Sequence, residues 1–439
     1  MNKTKIFPQK NNIKGLISVS GDKSCSHRAL IFASLMQGIT KIYGLLESED
    51  VLATLNALKE MNVDITKKDG FYEVKASGLH SLTSPNTALN LHNSGTGVRL
   101  LMGLVATQNI TAYFTGDKSL SARPMARVTE PLSKFLPSID LRDGNYLPVH
   151  ISGNSEAVAI NYKINIASAQ IKTALILAAI HANGTSQITE TKLTRDHTEL
   201  MMQYLGFAID YKIINQQKII KIKGNQANVN AKDIKVSGDP SSAAFLIAAA
   251  LLVPGSEITI KNVIINPHRI GFFEVLKEMG ADIEYLNINN ESGEEIADIR
   301  AKYSKLKGIE IGAEKAASMI DEYPILSVIA TQAEGKTIMY GLKELRVKES
   351  DRLAAIIKNL EICGVKTKSG EDWLSVEYCN KIRATEIIKT YNDHRIAMSF
   401  LILGLIAEEG LTIDDASMIN TSFPEFFEKL NKLGIKFAR

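Results

Sequence analysis

Apolar residues gather along this chain in six runs, Ala29 to Met36, Val98 to Ala106, Ile171 to Ile180, Ala243 to Val253, Ile325 to Ala330 and Ile396 to Ile406. A helix that is hydrophobic on most faces belongs inside a core. None of the runs reaches the uninterrupted length of ~20 residues that spans a bilayer. A glycine or asparagine follows each one, at Gly38, Asn109, Gly184, Gly255, Gly335 and Gly410, and a strand-like segment begins directly after it. Such a residue predicts a left-handed C-terminal cap on the preceding helix.

Beyond each strand come a polar loop and, most clearly in the first, fourth and sixth copies, an amphipathic helix; Phe426, Leu430 and Leu433 show its i, i+4, i+7 spacing. Asn62, Gly206, Gly280, Gly364 and Gly434 mark the end of that helix just before another apolar strand. The second copy has Leu136-Pro137-Ser138 there instead, which predicts a helix end built differently. The stops recur every ~70 to 80 residues, a period longer than the common solenoid repeats. A coarser repeat accompanies them, since Val-Ser-Gly-Asp occurs at Val19-Ser20-Gly21-Asp22 and again at Val236-Ser237-Gly238-Asp239. The expected fold class is α/β, with six β-α-β-α-β-β units, three per half, each burying one helix inside its own domain.

The chain has 439 residues, 45% hydrophobic and 23% charged, with a formal net charge of +3, enough for two cored domains. Nearly balanced charge makes no electrostatic case for nucleic acid as a partner. Cys25, Cys363 and Cys379 show no metal-ligand spacing, and an odd count suits a reducing cytoplasm. Lys3, Lys5 and Lys10 come without an apolar signal core, so no export sequence is expected.

The residues at the entrance to each apolar run are polar and small: Gly21-Asp22-Lys23-Ser24-Cys25-Ser26-His27-Arg28, Asn93-Ser94-Gly95-Thr96-Gly97, Ser168-Ala169-Gln170, Gly238-Asp239-Pro240-Ser241-Ser242, Asp321-Glu322-Tyr323-Pro324 and Asn392-Asp393-His394-Arg395. Helix N-capping accounts for such residues in general, and for Ser94, Ser241 and Ser242 taken singly it is the preferred reading. It does not account for Lys23, Arg28, Arg99, Lys172 and Arg395, because a cation near a helix N-terminus opposes the dipole unless an anion lies between them. Several such termini suit a polyanionic ligand, with backbone N–H groups on phosphate or carboxylate and a basic side chain closing the site. For Arg99 and Lys172, close to the turn into their helices, an ordinary solvated side chain weighs at least as heavily.

Gly335-Lys336-Thr337 resembles the end of a P-loop, but Ala330 stands where its first glycine belongs, and Asn93 to Gly97 lacks the third glycine of a dinucleotide fingerprint. Two further stretches hold chemistry. In Arg346-Val347-Lys348-Glu349-Ser350-Asp351-Arg352, Lys348 and Arg352 stand four apart around Glu349; the bland alternative is a solvated charged face. In Ala122-Arg123-Pro124 the proline holds Arg123 extended, which aims its side chain outward from the following helix.

Taken together these motifs resemble the 5-enolpyruvylshikimate-3-phosphate synthase family nearly end to end, and Thr194-Arg195-Asp196-His197-Thr198-Glu199 looks most like its class II bacterial members. The resemblance implies a two-domain inside-out α/β barrel, the enolpyruvyl transferase fold. Its implied domains are 21–238, and 1–20 together with 239–439, hinged at the two Val-Ser-Gly-Asp copies. It also implies transfer of the enolpyruvyl group of phosphoenolpyruvate to the 5-hydroxyl of shikimate 3-phosphate, by a cytoplasmic monomer with no cofactor, no metal, and no nucleic-acid or membrane partner.

Carried over residue by residue, shikimate 3-phosphate would meet Lys23, Ser24, Arg28, Ser168, Gln170, Arg195, Asp321 and Lys348. Phosphoenolpyruvate would meet Lys23, Gly95, Arg123, Gln170, Arg352 and Arg395. The implied catalytic groups are Glu349 as acid, Asp321 as base and Lys23 as charge stabiliser. Thr421 and Glu344 depart from the family's usual lysine and asparagine, and Thr194 and His197 from its better-known serine and tyrosine. Gly95 keeps the glycine whose replacement by alanine is associated in the family with glyphosate tolerance. Two rivals remain: the UDP-N-acetylglucosamine enolpyruvyl transferase, whose reactive cysteine is replaced here by Lys118, and a non-catalytic anion-binding scaffold.

Overall fold

The computed structural model describes residues 3–439 and turns all six apolar runs into helices. In chain order the helices are α1 (Lys23–Ala33), α2 (Glu49–Glu60), α3 (Gly95–Val105), α4 (Ala126–Leu132), α5 (Ala169–Ala179), α6 (His197–Leu205), α7 (Pro240–Leu252), α8 (Gly271–Glu278), α9 (Ala316–Met319), α10 (Tyr323–Ala330), α11 (Arg352–Ile362), α12 (His394–Leu403) and α13 (Phe426–Lys432). α1, α3, α5, α7, α10 and α12 are the interior ones; every residue of α7, α10 and α12 is buried. No described helix is long and apolar enough to cross a membrane.

The chain divides into two compact domains. The first comprises Gly21–Val236 with Asn290–Glu294; the second comprises the residues up to Ser20, Ser237–Asn289 and Glu295–Arg439. The divisions at Ser20/Gly21 and Val236/Ser237 cut through the two Val-Ser-Gly-Asp copies, so Ser237 and Gly238 group with the second domain.

Each domain carries three repeats of the β-α-β-α-β-β kind, and five of the six sheets are four-stranded. In the repeat that contains α3, Leu89–Asn90 runs parallel to Thr111–Thr115, which pairs antiparallel with Tyr146–Ser152, itself antiparallel to Ser138–Arg142. A parallel pair needs a crossover, and the buried helix is that crossover. Remote chain closes each domain: Ile234–Lys235 pairs in parallel with Gln37–Tyr43, and Lys14–Ser18 with Glu257–Ile264. In the last sheet Thr4–Ile6 lies between Leu411–Ile413 and Phe437–Ala438.

Close packing of the interior helices depends on side-chain size. α3 packs on α5, where a Cβ on Gly103 would stand 2.3 Å from the Ala174 carbonyl oxygen. Any side chain at 103 would therefore push the two helices apart. α7, α10 and α12 pack against one another in the second domain.

The stops after the interior helices differ from expectation. α12 ends at Leu403 and α5 at Ala179, whereas Gly410 (φ 74°) and Gly184 (φ 105°) lie several residues further on, at the entry to the next strand. Their left-handed backbone turns the chain into the strand rather than capping the helix. The amphipathic helices do use the cap. After α11, Gly364 adopts φ 79° and the Val365 N–H reaches back to the Leu360 carbonyl at 3.0 Å, a Schellman closure. Asn62, Gly206, Gly280 and Gly434 are left-handed too. In the second repeat Leu136 itself takes that conformation, with φ 60° and its side chain exposed.

A leucine in the left-handed region costs about 1–2 kcal/mol that glycine does not incur. Glycine's greater freedom in the unfolded chain offsets part of this. Leu136→Gly is accordingly expected to raise the unfolding free energy by about 1 kcal/mol, read as a higher denaturant midpoint at unchanged slope.

Candidate functional site

The entrances to the interior helices carry most of the polar residues singled out above, and each domain holds its own group. In the first domain, Asp22 caps α1 by accepting the Cys25 N–H at 2.8 Å, which points the first turn of the helix at Lys23 and Ser24. Lys23 Nζ donates to Asp50 Oδ2 at 2.9 Å. Arg28, one turn on, is buried and spends its donors on the protein: Nε on Thr198 Oγ1 and Nη2 on Thr173 Oγ1, both at 2.8 Å, and Nη1 on the Ser24 carbonyl at 2.9 Å. Three bonds out of five N–H donors leave two for a ligand.

The second group lies where α3 and α5 begin. Ser94 caps α3 and Ser168 caps α5 through their hydroxyls. Arg99 Nη1 donates to Gln170 Oε1 at 2.8 Å, and Gln170 Nε2 donates to Thr96 Oγ1 at 3.0 Å. Arg123 is extended before Pro124 (φ −86°, ψ 138°), and its Nη2 donates to Asn93 Oδ1 at 2.6 Å. A Cβ on Gly95 would stand 3.0 Å from Arg123 Nη1 and 3.3 Å from Arg99 Nη1, so this glycine lets two guanidiniums approach the helix end. Arg195 is half-buried in the loop that leads into α6.

Two expectations are corrected here. Arg99 is buried, and Lys172 has no exposed side chain at all; its ammonium pairs with Glu199 at 2.9 Å and Glu190 at 3.1 Å. Neither is a solvated side chain. Lys218 joins the same network through Asp196 and Glu199, each at 3.2 Å. Burial raises the Glu190 carboxyl above its usual range despite Lys172, whereas on Glu199, more deeply buried still, Lys172 and Lys218 together outweigh burial and hold it below.

In the second domain the group forms around one guanidinium. Arg352, the first residue of α11, is 1% exposed. Its Nε donates to Asp393 Oδ2 at 2.8 Å, its Nη1 to Asp321 Oδ1 at 3.1 Å and its Nη2 to Glu349 Oε2. Burial opposes its charge, but the carboxylates of Asp393, Glu349 and Asp321 outweigh burial and raise its pKa further. Arg395 joins through Asp321 at 3.8 Å and Glu322 at 3.6 Å. Asp393 also caps α12 by accepting the Arg395 N–H at 2.9 Å. Lys348 is half-buried just before this cluster. In the charged run 348–352 Arg352 is buried and Lys348 and Glu349 are half-buried, and only Asp351, which caps α11, is exposed, so the run is not a solvated face as a whole. Ser241 is not a cap either; Asp239 is, and the Ser241 hydroxyl donates to Glu322.

The matching family profile is that of EPSP synthase (3-phosphoshikimate 1-carboxyvinyltransferase), over residues 8–430. The chain belongs to the EPSP synthase family. A 3-phosphoshikimate 1-carboxyvinyltransferase from Chelativorans sp. is 47% identical over 430 residues, covering 97% of this chain and 96% of that one. One from Pseudomonas sp. strain PG2982 is 46% identical, covering 97% and 95%. Among solved structures, EPSP synthase from Acinetobacter baumannii superposes with a TM-score of 0.89 at 38% identity over the whole of both chains. The enolpyruvyl transferase NikO from Streptomyces tendae shares the fold, with a TM-score of 0.77 at 17% identity over 99% of this chain and 98% of that one.

Several partners in this EPSP synthase family member were not evident from sequence. Asp50 sits in the first turn of α2, where an acidic residue reads as a dipole complement. Thr173 and Thr198, which hold Arg28, lie inside helices and carry no motif. Asp393 was within a quoted motif, but its bond to Arg352 spans 41 residues. Thr421 turns its hydroxyl onto the Met418 carbonyl at 2.8 Å, and Glu344 is exposed in the short 3-10 helix Lys343–Val347.

Removing one partner of a buried ion pair leaves the other uncompensated, at a cost of about 3–5 kcal/mol. Lys172→Met is expected to lower the unfolding free energy by about that much, with Lys218 limiting the loss; a denaturant midpoint equal to wild type would exclude a structural role for the network.

Proposed function

We propose that the chain transfers the enolpyruvyl group of phosphoenolpyruvate to the 5-hydroxyl of shikimate 3-phosphate and releases phosphate, as a cytoplasmic monomer without a cofactor. The observation that carries this reading is the Arg352 cluster, in which the two carboxylates suited to acid–base work, Asp321 and Glu349, share one buried guanidinium. The reaction needs both. A proton must reach the methylene carbon of phosphoenolpyruvate while the attacking hydroxyl loses its own, and one proton of the resulting methyl group must leave when phosphate departs and the double bond re-forms.

Glu349 serves as the acid and Asp321 as the hydroxyl base. Glu349 pairs with Arg352, and a neighbouring cation favours a carboxylate's charged form, which makes it a poor acid. An anionic carboxyl group arriving at Arg352 and Arg395 competes for those guanidiniums. It weakens their hold on Glu349 and adds negative charge nearby, and both effects favour a protonated Glu349.

Lys23, Ser24, Arg28, Ser168, Gln170, Arg195, Asp321 and Lys348 bind shikimate 3-phosphate, and Lys23, Gly95, Arg123, Gln170, Arg352 and Arg395 bind phosphoenolpyruvate. Arginine forks match phosphate and carboxylate oxygens in pairs, which suits two substrates that each carry both groups.

Incubation with both substrates should release inorganic phosphate, whereas a scaffold would bind without releasing it. Glu349→Gln and Asp321→Asn are each expected to reduce kcat by at least ~100-fold, the usual scale for a lost acid or base. Binding of shikimate 3-phosphate should survive in Glu349→Gln; near-normal turnover in either variant would remove that residue from its role. Because a methyl group at Gly95 would press on Arg123, Gly95→Ala should raise the inhibition constant of glyphosate. An unchanged constant would show that the inhibitor does not use that space.

A further inference from the structure

Cys25 takes no part in the chemistry above, yet it does not lie alone. A carboxylate oxygen of Asp22, the Cys25 sulfur and a ring nitrogen of His197 all lie within 4.8 Å of one another, and all three residues are buried. Asp22 and Cys25 are brought together by the first turn of α1, and His197 opens α6. That explains why no ligand spacing shows in the sequence, since only folding carries His197 to the other two.

A second observation points to a ligand. His197 Nδ1 is 2.6 Å from Glu294 Oε1, while Nε2, with no solvent exposure, has no hydrogen-bond partner. A carboxylate on one ring nitrogen accepts the N–H on that side, so in the neutral ring that a metal would take up, the other nitrogen is free to ligate. Metal-ligating histidines are held in this way. A buried nitrogen lone pair facing nothing costs desolvation energy that a metal would return.

We propose that Asp22, Cys25 and His197 bind a divalent transition-metal ion of the Zn2+ type, with Glu294 orienting the histidine. Thiolate and imidazole donors select such an ion over Mg2+ or Ca2+, which take oxygen ligands. Metal bonds of about 2.0–2.3 Å set neighbouring tetrahedral donors roughly 3.3–3.8 Å apart, so the three must draw in by about 1 Å, within the reach of side-chain rotation. A water completes the fourth position. On binding, the Cys25 thiol gives its proton to solvent, aided by its place in the first turn of a helix.

Charge permits the site. Arg28 bonds to Ser24 and Thr198, the neighbours of Cys25 and His197, so a cation already stands close by. The anions Asp22, thiolate Cys25 and Glu294 balance a divalent ion plus Arg28. Such an ion would tie the turn bearing Lys23 and Ser24 to the loop bearing Arg195. It would set the spacing of phosphate donors without touching substrate.

Chelator-dialysed protein titrated with Co2+ tests the assignment independently of catalysis. One equivalent should saturate the protein and give a thiolate-to-cobalt absorption band in the near ultraviolet. Cys25→Ser should abolish that band, Cys363→Ser and Cys379→Ser should keep it, and Glu294→Gln should weaken binding by about 10–100-fold. Absence of saturable uptake, or a band that survives Cys25→Ser, overturns the proposal. Should Cys25→Ser fail to fold, the wild-type protein still decides: Zn2+ should raise its melting temperature where equimolar Mg2+ does not, and no difference between the two ions equally overturns it.

Discussion

A guanidinium removed from water must find anions inside the protein, and Arg352 finds three. Asp393, Asp321 and Glu349 surround it at the mouth of the interior helices of the second domain. Burying that charge alone would cost several kcal/mol, so the carboxylates are a condition of folding before they have any other use. The same arrangement makes them available. Asp321 and Glu349 thereby stay paired to one buried cation rather than to each other.

The first domain meets the same constraint differently. Lys23 at the α1 entrance bonds to the Asp50 carboxylate, whereas neutral groups hold others: Thr173 and Thr198 bond Arg28, Asn93 and Ser119 bond Arg123, and Gln170 bonds Arg99. A neutral partner orients a guanidinium without cancelling its charge. Where a cation is needed only for structure, as with Lys172, it is surrounded by carboxylates and sealed from solvent.

Glycine and small residues supply the other half of the design. Gly103 permits α3 to lie against α5, and Gly95 permits Arg99 and Arg123 to crowd the α3 entrance. With Gly103 at their contact, the N-terminal ends of α3 and α5 lie close enough for Gln170 to bond both Arg99 and Thr96. Backbone N–H groups and helix dipoles then add to the positive side-chain charges at those ends.

Local order along the chain determined a good deal of this by itself. The six repeats, the interior runs, the left-handed residues that end the amphipathic helices and the polar entrances all depend on neighbours within a few positions, where backbone geometry dictates spacing. Sequence also placed Arg123 in its extended form, because the clash with Pro124 is a local matter. Only the tertiary structure decided which cation met which partner: Lys23 with Asp50, Arg28 with Thr198, Arg352 with Asp393, Lys172 with Glu199. It also showed that Gly410 and Gly184 turn the chain into strands rather than cap helices, and that Lys172 is buried. These outcomes depend on the packing of elements tens to hundreds of residues apart, and a local pattern holds no record of which distant helix or strand will lie against it.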